Sequence, residues 1–194
     1  MDKTLLLWIN NDWASPWADV FFVWVSDKAT FSFPLIGLII LLLAWQYRRA
    51  GLKLGLTFIL VILLGDGLGN ILKHSIGQPR PCAELHQQLR HPDHHYARCT
   101  DSTDGMPSNH ALNFFAAFAF LTLSTGSWRW GAPLLIIAVS VGLSRVYLGA
   151  HYPSQVLVGT LIGLAFGTLA AAPGRRYLAF MKSIHATSRR TSHV

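Results

Sequence analysis

The sequence predicts an all-α, multi-pass transmembrane helix bundle that occupies residues 1–194 as a single membrane-embedded domain, and three observations carry that prediction. Hydrophobic residues make up 52% of the 194 and charged residues 13%. A typical soluble domain is roughly 25% charged, so this chain has too few polar groups to cover a soluble surface. The apolar residues also fall in continuous runs, without the period-two alternation of a barrel strand. Finally, Lys and Arg gather in the segments that flank those runs, the placement that orients membrane helices. The same composition excludes a disordered chain and a small disulfide scaffold.

Residues 1–27 contain two apolar stretches, 5–9 and 17–25, broken by Asn10, Asn11, Asp12 and Asp19. An interfacial or partly inserted helix pair fits this pattern; if the segment crosses, the spans number six rather than five. No small-residue cleavage site follows a compact apolar core, so the segment is not a secretory signal. The first clear run, residues 31–45, contains only Ser32 and Pro34 as interruptions and ends at Arg48 and Arg49. The second covers residues 54–72 and carries Asp66 and Asn70. A polar loop, 74–106, leads to the third run, 111–123, which Ser108, Asn109 and His110 precede. The fourth run, 131–148, has Ser144 and Arg145 near its end, and the fifth, 156–172, follows Pro153. Each approaches the roughly 20 residues that cross a hydrocarbon core of about 30 Å. Gly159, Gly163 and Gly167 give the fifth run a face of small residues for close packing inside the bundle.

The net charge is +7. In a soluble protein that would point to nucleic acid, but here Arg48, Arg49, Lys53, Arg129, Arg175, Arg176, Lys182, Arg189 and Arg190 all flank apolar runs. No nucleic-acid partner is expected; the partners are the bilayer and a lipid. Placing Arg48, Arg49 and Lys53 in the cytoplasm puts Arg129 and the basic tail, 174–194, there too. The loop 74–106 and the turn 145–153 then lie outside. Cys82 and Cys99, the two cysteines, fall in that outer loop, where a disulfide between them is favoured over two free thiols.

Ionisable groups at helix ends in an apolar chain mark function. Three clusters meet at the outer face in this topology: Lys73-x6-Arg80-Pro81, Pro107-Ser108-Asn109-His110, and Ser144-Arg145-x5-His151-x3-Gln155. Lys73, Arg80 and Arg145 supply three fixed positive charges, two of them guanidinium forks that match phosphate oxygens. Ser108 is suited to cap a helix whose N-terminus attracts anions. His110 and His151 can act as proton donor and nucleophile. Together these groups describe a phosphoryl-transfer site. Direct catalysis is not expected of Asp66 and Asn70. The histidines and acids of the loop (His86, His91, His94 and His95 with Glu84, Asp93, Asp101 and Asp104) lack tight metal-ligand spacing, so no metal site is expected.

These residues resemble the three-part pattern of the type-2 phosphatidic acid phosphatase family of integral-membrane lipid phosphatases. That pattern reads Lys-x6-Arg-Pro, then Pro-Ser-Gly-His, then Ser-Arg-x5-His-x3-Asp. The resemblance implies that His151 attacks phosphorus to form a phosphohistidine and that His110 protonates the departing oxygen. It implies that Lys73, Arg80, Ser108, Asn109 and Arg145 hold the phosphoryl group, and that no metal or other cofactor takes part. The short chain and compact loops resemble bacterial members that dephosphorylate undecaprenyl pyrophosphate, in the cytoplasmic membrane with the site facing outward. A lipid A 1-phosphatase, a lipid-to-lipid phosphotransferase and a non-enzymatic lipid-phosphate binder or transporter are the alternatives.

Two positions depart from the pattern. Asn109 stands in place of Gly, which is expected to crowd the phosphate approach. Gln155 stands in place of the Asp that orients the nucleophilic histidine. It can still accept from the imidazole Nδ1–H but brings no charge, so attenuated turnover is expected, raised by Gln155→Asp.

Overall fold

The computed structural model describes residues 1–92 and 103–191, with side chains described as far as residue 172. Among the described residues every regular element is helical. The order is α1 (Asp2–Leu7), a π-helical turn (Trp8–Asp12), α2 (Pro16–Ser26), a second π-helical turn (Lys28–Ser32), α3 (Phe33–Tyr47), α4 (Arg49–Ile76), α5 (Pro81–Glu84), α6 (Asn109–Thr125), α7 (Trp128–Tyr147) and α8 (Pro153–Thr191).

Among the described residues four segments are long and apolar enough to cross a membrane: Lys28–Tyr47, Arg49–Glu84, Trp128–Tyr147 and Pro153–Ala172. The expected third run is α6, whose 17 residues extend only about 25 Å at 1.5 Å per residue. It falls short by length, yet it is the central helix, packed against α4, α7 and α8. Lipid contacts its neighbours more than it contacts α6. At 39 residues, α8 is about 58 Å long, so the basic tail continues the last span as helix.

Small residues bring α6 and α8 together. A Cβ on Gly159 would lie 2.5 Å from the Ser108 carbonyl oxygen, and on Gly163 and Gly167 closer still to those of Leu112 and Ala116. Only Gly allows the two backbones this approach. The seam fixes the start of α6 relative to the start of α8. A core of Leu43, Leu54, Phe58, Ala116, Phe120 and Leu121 fills the middle of the bundle on its α3–α4 side.

Tryptophans border both ends of the bundle. Trp45 and Trp128 are exposed where α3 ends and α7 begins, close in sequence to Arg48, Arg49 and Arg129. Trp8, Trp13, Trp17 and Trp24 are exposed on the N-terminal segment, which packs at the other end. Two such girdles are the pattern of a membrane protein's interfaces. At 11 residues, about 16 Å, α2 is too short to span.

Hydrogen bonds fasten this N-terminal segment down. Asn10, fully buried, donates to the carbonyls of Tyr147 (2.7 Å) and Arg90 (3.0 Å) and accepts from the Arg90 N–H at 2.8 Å. Arg90 in turn grips Asp19 through both guanidinium arms, at 2.9 and 2.8 Å. Asp2 accepts from the Ser154 N–H at 3.0 Å in the first turn of α8, where a carboxylate also meets the positive helix end. Leu6, Ile9, Leu85, Leu89, Val146 and Tyr152 form the apolar cluster beneath. Of Asn10, Asn11, Asp12 and Asp19, read in the sequence as interruptions, Asn10 and Asp19 are two of these fastenings.

Candidate active site

The three clusters converge on one polar cavity of about 310 Å³, lined by Lys73, Arg80, Asn109, His110, Arg145 and His151 together with Lys28, Asp66, Asn70 and Asp104. Local geometry explains each spacing. Lys73 lies in the last turn of α4, its carbonyl accepting from Gly77, which closes the helix at φ +62°. Extended backbone through Arg80 then brings the guanidinium back over the helix end. Five residues separate Arg145 from His151 because the chain turns on itself: the Arg145 carbonyl accepts from the N–H of Ala150 (2.9 Å) and of His151 (3.0 Å). Gly149 makes that turn at φ +65°, a conformation other residues adopt only under strain.

The His151 ring is 3% exposed, and its Nδ1 lies 2.8 Å from the Gly105 carbonyl and 3.2 Å from Gln155 Oε1. Both partners are oxygen acceptors, so Nδ1 carries the hydrogen and Nε2 keeps its lone pair. Burial pushes the imidazole pKa well below its usual value, and the charges of Arg145, Arg80 and Lys73 push it further the same way. This leaves a neutral imidazole among cations.

Gln155 is fully buried, and every polar atom of its amide is used. Its Oε1 also accepts from the Tyr152 N–H at 3.2 Å, while Nε2 donates to the Pro79 carbonyl (2.9 Å) and to Gln78 Oε1 (3.2 Å). The structure therefore changes the expectation for Gln155→Asp. A carboxylate would abandon two acceptors and bring negative charge against them. Gly105 belongs to the same device, since a Cβ there would lie 2.5 Å from Gln155 Nε2.

Asn109 also differs from its expected role. Its Nδ2 donates to Asp66 Oδ1 (3.0 Å) and Asn70 Oδ1 (2.9 Å), and its Oδ1 sits where a side chain on Gly69 would have to go. Asn113, one turn on, reaches Asp66 Oδ1 at 3.4 Å beside Gly65. The side chain at 109 is thus drawn towards α4, which makes room for it with Gly69. Ser108 is fully buried and is not among the cavity-lining residues; its N–H donates to the Gln155 carbonyl and its hydroxyl caps no helix.

Three residues at the site, Ser26, Gly105 and Lys28, had escaped the sequence reading, and a fourth, Asp104, had been weighed only as a metal ligand. Ser26, at the end of α2, accepts from His110 Nε2 through its carbonyl (3.2 Å) and from Arg145 Nη1 through its hydroxyl. A carbonyl only accepts, so His110 Nε2 is protonated. Asp104 accepts from Arg80 Nε and Nη2 at 2.9 and 2.8 Å, and its carbonyl accepts from Lys73 Nζ. Gly105 and Lys28 complete the set. Lys28 carried a signal, because it flanks the first run at the end opposite to the basic cluster that orients the chain. Nothing in the spacing of Asp104 signalled its pairing with Arg80.

Among the described residues no group of three His, Cys, Asp or Glu could hold a metal ion. Of the loop residues weighed as ligands, Asp93, His94, His95 and Asp101 lie outside the described residues. Cys82 is buried and is not a free thiol; Cys99, its expected partner, lies outside the described residues.

A second cavity, about 210 Å³ and apolar, opens beneath the first between α3, α4, α6 and α7. Ile36, Ile39, Phe58, Ile62, Phe114 and Ala117 line it, and it shares Lys28, Asp66, Asn109 and His110 with the polar cavity. A cation-lined pocket thus adjoins an apolar one.

The family pattern named PAP2 superfamily matches residues 51–175. The chain belongs to the PAP2 superfamily. It is 32% identical over 125 residues to a protein of Sulfolobus acidocaldarius named undecaprenyl-diphosphatase, covering 64% of this chain and 55% of that protein. It is 31% identical over 121 residues to the lipid A 1-phosphatase of Rhizobium johnstonii, covering 61% of this chain and 47% of that one. The chain matches about half the length of these curated relatives. The crystal structure of Aquifex aeolicus LpxE superposes with a TM-score of 0.66 at 27% identity, over 87% of this chain and 93% of that one.

Proposed function

We propose that this PAP2 protein is a membrane lipid phosphatase that hydrolyses a phosphate or diphosphate lipid through a phosphohistidine on His151. One observation carries the reading: a histidine with Nε2 unprotonated lines a cavity walled by Lys73, Arg80 and Arg145 and adjoining an apolar cavity. In the first step Nε2 bonds to phosphorus as the bond from phosphorus to the lipid oxygen breaks. The electron pair stays on that oxygen, which takes the Nδ1 proton of a His110 imidazolium and leaves a neutral ring whose Nε2–H stays on the Ser26 carbonyl. Lys73, Arg80 and Arg145 neutralise the charge that spreads over the equatorial oxygens. In the second step water attacks phosphorus and gives its proton to His110, the P–N bond breaks, and inorganic phosphate leaves with Nε2 restored. Gly105 and Gln155 hold Nδ1–H throughout, so the ring that becomes cationic on phosphorylation is met by two oxygens.

The site faces the extracytoplasmic side of a cytoplasmic membrane. Support comes from Arg48, Arg49 and Arg129 at the opposite end of the bundle, since basic residues resist translocation. The same orientation places Cys82 and Cys99 where a disulfide is stable. One relative is named for a polyprenyl diphosphate and another for lipid A, so the test is a panel. Purified protein in detergent is offered polyprenyl diphosphate, phosphatidylglycerophosphate, phosphatidic acid and lipid A, with His151→Ala as control. Phosphate release from one of them that the control lacks supports the reading. Release from none overturns it, and label passing to a second lipid instead of water shows a transferase.

A further inference from the structure

The two cavities share four lining residues, and their chemistry differs sharply. The phosphoryl group under attack occupies the polar cavity and the hydrocarbon occupies the apolar one. The group that follows the leaving oxygen therefore lies beside the residues the two cavities share, Lys28, Asp66, Asn109 and His110. Asp66 is a carboxylate that already accepts from Asn109 and Asn113. The Asn109 amide donates to Asp66 and Asn70, and His110 Nε2–H is directed at Ser26. Lys28 brings three N–H donors and a full positive charge, and among the described residues it is the one Lys or Arg lining both cavities.

Its backbone is held from both sides. Asp27 accepts from the Thr30 N–H (2.7 Å) and hydroxyl (2.8 Å), closing the turn that carries Lys28. Ser26, two residues earlier, is bonded to both His110 and Arg145. The joint between α2 and α3 is thus bound to the proton donor itself, on the leaving-group side of the site.

We propose that Lys28 binds the second phosphate of a lipid diphosphate, so that diphosphates are the substrate class this site favours; the inference rests on the phosphatase reading above. In a monophosphate the first group beyond the leaving oxygen is a methylene, which gains nothing from an ammonium. In a diphosphate it is a second phosphorus with anionic oxygens, and these form charge-assisted hydrogen bonds. The bond that breaks is then the phosphoanhydride bond between the terminal phosphorus and the bridging oxygen. The electron pair goes to that oxygen, now part of a lipid monophosphate, where the His110 proton and the Lys28 charge stabilise it.

The experiment compares farnesyl diphosphate with farnesyl monophosphate in detergent, for the full chain, Lys28→Gln and Lys28→Arg. Its readout is the ratio of the two kcat/KM values, which does not depend on how much of each preparation is folded. Lys28→Gln is expected to lower the ratio by about tenfold or more, and Lys28→Arg to keep it within about threefold of the parent. A ratio unmoved by Lys28→Gln, or lost equally in Lys28→Arg, overturns the role of Lys28 while leaving the phosphatase reading standing. No phosphate release by the parent from either compound, or from the lipid panel, overturns both.

Discussion

The α6–α8 seam and the α3–α4–α6 flank are built on opposite principles. Along the seam Gly159, Gly163 and Gly167 let two backbones touch, and no side chain separates them. On the flank the side chains of Ile36, Phe58, Ile62 and Phe114 stand around an open volume of about 210 Å³. The seam carries the two histidines: His110 lies in the first turn of α6, and His151 immediately precedes α8. The residues that line the flank cavity include the shared His110 but neither His151 nor any of Lys73, Arg80 and Arg145. Groups that exchange a phosphoryl must be held to fractions of an ångström, whereas a lipid tail asks only for apolar room. Packing density follows the tolerance of the chemistry.

The most severe break removes the reacting atom from the seam side. His151→Ala is expected to lower kcat by about four orders of magnitude or more. Substrate binding should be retained, because Lys73, Arg80 and Arg145 remain. Rapid quench with radiolabelled substrate should leave label on the parent chain and none on the variant. Label on the variant at the parent level would refute His151 as the site of attachment.

A gentler break acts on the seam alone. Gly163→Ala drives a methyl into the Leu112 carbonyl, at a cost of about 1–3 kcal/mol for overpacking. A lower Tm in detergent is expected, with kcat reduced by about 10- to 100-fold because the helix starts shift relative to each other. Gly37 is the matched control, since a Cβ there meets nothing within 4 Å. Equal effects of Gly163→Ala and Gly37→Ala would show that the seam does not set the geometry.

The same contrast explains what the sequence made legible. Helices declare themselves through long apolar runs, and the three clusters through spacings that each correspond to one local turn, as Arg145 to His151 shows. The Gly repeat announced the seam. What stayed hidden depends on tertiary placement. Asp104 finds Arg80 from a loop 24 residues away, and Ser26 reaches Arg145 across 119 residues. The Asn109 substitution looked like crowding because only the structure shows Gly69 opposite it. Gln155 looked like a charge deficit because its two N–H donors have partners, Pro79 and Gln78, that no periodicity reveals.

That last residue gives the third test. Gln155→Asp is expected to lower kcat by about tenfold, since unpaired buried acceptors cost about 1–3 kcal/mol each and outweigh the added charge on the His151 ring. Gln155→Glu, which restores the length but not the donors, should fall in the same direction. A rise in kcat for Gln155→Asp would mean that the missing charge, and not the amide network, governs the rate.

On the flank a fourth change should act on binding alone. Ile36→Trp fills part of the apolar cavity from α3, a helix that carries neither histidine. A rise in KM of about three- to tenfold for long-chain substrates is expected, from the loss of a few buried methylenes, with kcat and Tm held. The effect should shrink for short-chain substrates, whose tails end before the obstruction. A fall in kcat as large as that of Gly163→Ala would erase the distinction between the two regions.

The smallest effect expected is a displacement along the pH axis. Burial, reinforced by Arg145, Arg80 and Lys73, holds the His151 pKa well below its usual 6.5. The ring therefore stays neutral below its ordinary titration range, and the acid limb of kcat/KM that it controls lies under 6.5. Arg80→Gln removes one of the repelling charges, so the limb should move upward, towards the ordinary imidazole range, even as the overall rate falls. Stability carries the same sign: below pH 6.5 the unfolded chain binds a proton that the buried ring refuses, so folding weakens as pH falls. A limb at 6.5 in the parent, unmoved by Arg80→Gln, would mean that the cations do not bear on the ring, and the cradle would have to be drawn elsewhere.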